Sequence, residues 1–182
     1  MRKNILWITE TAVMLALLVT LQALTKPFGQ LVTGSCVNAV LAVSALVGGL
    51  GCGLTVAVIS PVLAYLLGIA PQILTVPAIM VGNAVYAVLL SILADKTGKN
   101  PVRQAIAWAV AAAAKFSTLY LIVVKIICGV LSENLLKAGT LKAPMLKALP
   151  ATFSWPQLFT ALIGGAVALV IVPVLRNVLR KK

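Results

Sequence analysis

Residues 34–68 read GSCVNAVLAVSALVGGLGCGLTVAVISPVLAYLLG. From Cys36 onward this run is apolar for longer than one helix needs to cross a bilayer, about 20 residues. Four glycines, Gly48, Gly49, Gly51 and Gly53, interrupt it near the middle. Glycine weakens a helix and permits the conformations of a tight turn. The run therefore divides into two short helices, about 36–48 and 53–68, with Pro61 kinking the second.

Working outward, four more apolar spans appear, at about 5–25, 76–94, 102–131 and 156–176. The basic start MRKN resembles that of a signal peptide. However, the run behind it is long enough to span and no small-x-small cleavage site follows, so it reads as the first spanning helix. Lys26-Pro27-Phe28-Gly29 ends that helix, and a short polar stretch, 30–34, leads to the second. The connections 68–77 and 95–101 are rich in turn-forming residues, whereas 132–153 is longer and amphipathic in places, as an interfacial turn of helix would be.

The 182 residues are 62% hydrophobic and 10% charged, against about 25% charged in a soluble domain. Mean hydropathy is +1.11. These values describe an all-α membrane protein, a single domain over 1–182 with six transmembrane helices packed as a bundle in the cell membrane. The net charge of +12 would suggest nucleic acid in a soluble protein. Here the charges gather at the ends of the apolar runs and report orientation, so nucleic acid is not expected as a partner. With six spans, both termini share a side, together with Arg2, Lys3, Lys96, Lys99, Arg103, Arg176, Arg180, Lys181 and Lys182. The other side holds Lys26, Lys137, Lys142 and Lys147. Nine basic residues against four place both termini in the cytoplasm.

The chain offers little for catalysis. It has no histidine, and Cys36, Cys52 and Cys128 form no CxxC pair, so a metal site is not expected. Glu10, Asp95 and Glu133 are its only carboxylates and cannot pair within the membrane. No GxxxxGK[ST] phosphate loop is present. Neither an enzyme nor a cofactor is expected.

The embedded polar residues are more informative. Lys115 and Lys125 both lie in the fifth span. A lysine at that depth costs roughly 3 kcal/mol and usually faces the bundle or a wet cavity. Ten α-helical residues turn the helix so that the two lysines differ in direction by about 80°, close enough to share one broad cavity. For Lys125, snorkelling to the interface is an equal alternative. Gln22, Asn38, Gln72, Asn83, Tyr86, Tyr120, Trp155 and Gln157 gather toward the outer end. Asn83 and Tyr86, three apart, share a helix face. Such groups orient a small polar ligand in an outward-facing pocket, or else hydrogen-bond between helices; Trp155 also suits an interfacial belt. Lysines would favour an anionic ligand. A cationic one would require acids or an aromatic cage, which these positions scarcely supply. Ala12 and Ala16, one turn apart in TAVMLALLVT, form a small-residue strip suited to close helix packing, within the bundle or against a partner.

Taken together, the AxxxA strip, the glycine-rich hairpin, the six spans with both ends inside and the lack of a catalytic constellation resemble the S components of energy-coupling factor (ECF) transporters, the prokaryotic vitamin importers. The similarity in architecture extends over essentially the whole chain. It implies a membrane subunit that binds a vitamin or related micronutrient from outside and docks on a T component driven by two ATPase subunits. On that resemblance, Ala12 and Ala16 form the docking face. Asn83, Tyr86, Lys115, Lys125 and Gln157 belong to the pocket with Asn38, while Gln72 and the 26–36 loop form a lid. The alternative from a different class is a stand-alone small-molecule transporter or channel.

Overall fold

The computed structural model describes residues 2–69, 72–95 and 100–180, with side chains from 5 to 178 within these. The described residues form helices α1 (Arg2–Thr25), α2 (Gln30–Val47), α3 (Gly49–Leu66), α4 (Val76–Leu93), α5 (Pro101–Leu119), α6 (Ser132–Lys137), α7 (Ala143–Thr152) and α8 (Trp155–Arg180). Short 3-10 turns, Lys26–Phe28 and Ile73–Thr75, lead into α2 and α4. Among the described residues, six helical stretches are long and apolar enough to cross a membrane, as expected where lipid cannot satisfy the polar groups of the backbone.

Helix boundaries depart from the apolar runs in instructive ways. The hairpin in the opening stretch turns on two glycines rather than four. Gly48 ends α2, and Gly49, at φ +81°, starts α3. Gly51 and Gly53 lie inside α3, where they allow close packing. A Cβ on Gly53 would sit 2.9 Å from Ala45 Cα, and one on Gly51 would sit 3.2 Å from Trp7 Nε1. The polar stretch 30–34, expected to connect helices, is instead the first turn of α2. Gly29, at φ +85°, supplies the break. The hydroxyls of Thr33 and Ser35 donate to Thr25 O and Leu31 O, so polarity does not interrupt the helix. Hydropathy marks where hydrocarbon ends, and a helix with satisfied hydroxyls continues past that point.

The fifth span is likewise not uniform. Beyond Leu119 it continues as a π-helix, Tyr120–Val130, whose bonds run i→i+5. The 132–153 segment folds into α6 and α7. Leu141, Leu149 and Phe153 from this segment cover Leu119, Val123 and Ile127 in a satellite apolar cluster.

Helix α2 lies at the centre, packed on α8, α1, α3 and α4, with α5 against α4 and α8. The main core gathers Leu18, Leu41, Val56, Tyr86, Leu90 and Val172 from five helices. Arg176 staples the end that bears both termini, donating to Leu46 O at 2.8 Å and Asp95 O at 3.4 Å. Of the nine basic residues assigned to this end, only Arg103 and Arg176 have described side chains. The rest, Arg2, Lys3, Lys96, Lys99, Arg180, Lys181 and Lys182, lie outside that description.

The α2–α8 contact depends on small residues, which yields a packing test. A Cβ on Gly164 would meet Ser35 O at 2.5 Å and Ala39 N at 2.7 Å, whereas one on Gly129 would meet only Val124 O, at 3.6 Å. Gly164→Ala should destabilise the protein by about 1–3 kcal/mol through overpacking and lower its melting temperature in detergent. Gly129→Ala should leave that temperature nearly unchanged.

Candidate functional site

Asparagine is a poor helix former and lysine is costly at membrane depth, so Asn38, Asn83 and Lys115 require tertiary partners. They find one another. Lys115, 3% exposed, extends from an alanine-rich turn of α5. Ala111 and Ala112 there are fully buried and hold the backbone close to its neighbours. Its Nζ donates to Asn38 Oδ1 on α2 at 2.5 Å and to Asn83 Oδ1 on α4 at 2.6 Å. Asn38 Nδ2 donates in turn to Thr160 Oγ1 on α8 at 3.2 Å, and Thr160 donates to Gln157 O at 3.1 Å. The Tyr86 ring lies beneath, its centroid 5.5 Å from Nζ, within cation–π range.

Above this cluster is a cavity of about 210 Å³. Asn38, Asn83, Lys115 and Gln157 all line it, with Thr75 and Thr152 as further polar wall. Val37, Ile79, Leu119 and Phe153 supply apolar wall, and Gln22, Lys26, Gln30 and Thr33 lie where α1 turns into α2. Lys26 Nζ also donates to Gly68 O at 2.8 Å, linking the start of α2 to the end of α3. None of the three carboxylates lines the cavity. Among the described residues no group of three His, Cys, Asp or Glu could hold a metal ion.

The other sequence-predicted residues are placed differently. Tyr86 shares its face with Asn83 as expected, but its hydroxyl donates to Ala161 O at 3.3 Å, and the residue supports Lys115 from below rather than lining the cavity. Lys125 is exposed, with Nζ 5.7 Å from the Tyr120 ring centroid. The π-helix is the physical reason: i→i+5 bonding turns each residue by less than an α-helix does, so counting ten α-helical residues from Lys115 gives the wrong direction. Gln72 lies outside the cavity wall. Its Oε1 is buried without a partner among the described residues, and its carbonyl accepts from the Thr75 amide and hydroxyl. The 26–36 lid is a 3-10 turn followed by helix, not a loop. Trp155 is exposed and stacks on Phe116 at 5.7 Å. Glu10 is exposed on α1. Ala12 and Ala16 are both exposed, so the strip faces away from this chain's own bundle.

Thr75, Thr152 and Thr160 were not anticipated. Thr160 carried a usable signal, since it follows Gln157 by three residues and so shares its helix face. Thr75 and Thr152 sit at helix ends, where threonine looks like ordinary turn chemistry.

The Lys115 contacts can be tested by a double-mutant cycle. Asn83→Leu alone leaves an ammonium donor unpaired and should cost about 1–3 kcal/mol. In a Lys115→Met background the same change should cost much less. Thermal unfolding of the four proteins measures the coupling, and additive losses would mean that the contact does not form.

The family described as "ECF transporter, substrate-specific component" matches residues 7–176. No curated protein and no solved structure matches the chain.

Proposed function

The chain belongs to the family of ECF transporter substrate-specific components, and on that premise we propose that it captures a vitamin-class micronutrient in the cavity around Lys115. It then releases its cargo inward after docking through α1 on a T component powered by two ATPase subunits. Proteins of this family are multi-pass subunits of the prokaryotic plasma membrane. They serve as transporter parts rather than enzymes, recognising a small-molecule substrate alongside T and ATPase partners.

The observation that carries the proposal is the cavity itself. Four polar residues from four different helices converge on it deep in an apolar bundle, at the end opposite the termini. Buried polar groups cost free energy unless they are paired, and groups kept facing a hollow are suited to a ligand. The excess of basic residues near the termini supports the orientation in which this end faces outward.

The outward face of α1 supports the docking step. Ala12 and Ala16 are exposed beside the exposed Val13 and Leu17, and Leu18 is buried on the opposite side. A flat strip of this kind lets a second membrane helix come close. Ala16→Trp should cut uptake by at least about tenfold in cells carrying the complete transporter, while the purified variant should bind substrate as the parent does. Normal uptake by Ala16→Trp would overturn the docking step. Uptake into liposomes containing this chain alone would overturn partner-driven import in favour of a stand-alone transporter.

A further inference from the structure

Taking the cavity as the substrate site, on which this inference rests, we propose that its occupant is a compact monocarboxylate seated with its carboxylate on Lys115. The lining carries two cations, Lys115 and Lys26, and no carboxylate. Only Lys115 is deep; Lys26 is exposed and already donates to Gly68 O. One deep ammonium surrounded by neutral amides is a positive charge without a counter-ion, and a ligand bearing one negative charge would supply it.

The donors beside the charge fit the same group. An ammonium has three N–H donors, and the asparagine carbonyls take two. Asn83 lines the cavity, and its Nδ2 has no hydrogen-bond partner among the described residues. A carboxylate has two oxygens, one for the remaining ammonium proton and one for this amide. A phosphate would carry about −1.5 to −2 charges, more than one deep cation can balance. A cationic ligand would meet Lys115 as a like charge.

Size and wall chemistry define the rest of the molecule. The cavity, about 210 Å³, falls below the roughly 300–1,000 Å³ of sites for drug-sized ligands. A single ring or a short chain fits, and a nucleotide or a fused multi-ring coenzyme does not. Val37, Ile79, Leu119 and Phe153 provide apolar contact for that body. Gln22, Gln30 and Thr33 can satisfy a neutral polar group at the end distant from the carboxylate.

The test exposes immobilised protein to a complex culture-medium extract containing water-soluble vitamins. After washing and denaturation, the released small molecules are identified by mass spectrometry. Wild type should release a compound with one carboxylate and no phosphate. Lys115→Met should retain at least about tenfold less of it, the loss of one charge-assisted contact, whereas Lys125→Met should retain the wild-type amount. Asn38→Asp places a carboxylate against the ammonium inside a folded protein and should abolish retention as well. Release of an uncharged, cationic or phosphorylated compound by wild type overturns the inference and leaves substrate capture standing, as does full retention by Asn38→Asp. If wild type retains nothing, substrate capture in this cavity falls, and the carboxylate inference with it.

Discussion

A single buried ammonium is the constraint around which the bundle is arranged. An unpaired charge in a low-dielectric interior is expensive, and Lys115 is held by two neutral carbonyls and the face of a tyrosine rather than by an acid. Those partners sit on α2 and α4, and the bond from Asn38 to Thr160 carries the network to α8. Four of the six crossing elements are thus positioned by one side chain. Satisfying it ties their relative register to a few directional bonds, which act between membrane helices alongside van der Waals packing.

For such short contacts the helices must approach closely, and small residues make that possible. A Cβ on Gly34 would meet Thr160 Cγ2 at 2.7 Å, and one on Gly82 would meet Leu119 Cγ at 2.7 Å. Each of these glycines lies one turn or less from a member of the polar cluster. Within the spans, glycine therefore does more than mark turns: it brings donor and acceptor into range.

This dual role explains much of what the sequence revealed and what it concealed. Membrane class, six crossings and the glycine hairpin were legible, because each depends on composition or on gross hydropathy. Asn38, Asn83, Lys115 and Gln157 were legible as site candidates because a polar residue inside an apolar run is conspicuous at any register. Lys125 was misplaced because its direction depends on the hydrogen-bonding mode of Tyr120–Val130, and an i→i+5 run of YLIVVKIICGV has the same hydropathy as an α-helical one. The helical start of α2 was missed for a related reason: side-chain polarity does not reveal whether hydroxyls will find backbone carbonyls that let the helix continue. Thr160 was overlooked because a threonine in an apolar run stands out only once Gln157, three residues before it on the same face, is read as part of the site.

The two ends of the bundle differ in kind, and the difference bears on how cargo can move. The cavity end is assembled from irregular pieces, two 3-10 turns, a π-helix and two short helices. Below Lys115, toward the termini, Leu41 follows Asn38 on α2, Leu90 follows Asn83 on α4, and both are buried with Val56 and Val172. A path straight through would expose these side chains to water at about 1.5–3 kcal/mol each, and would also break the Lys115 and Arg176 networks. Rearranging the cavity end leaves that packed layer and the Arg176 network in place. A bundle that is irregular at one end and regularly packed at the other is suited to opening and closing its pocket on a single side.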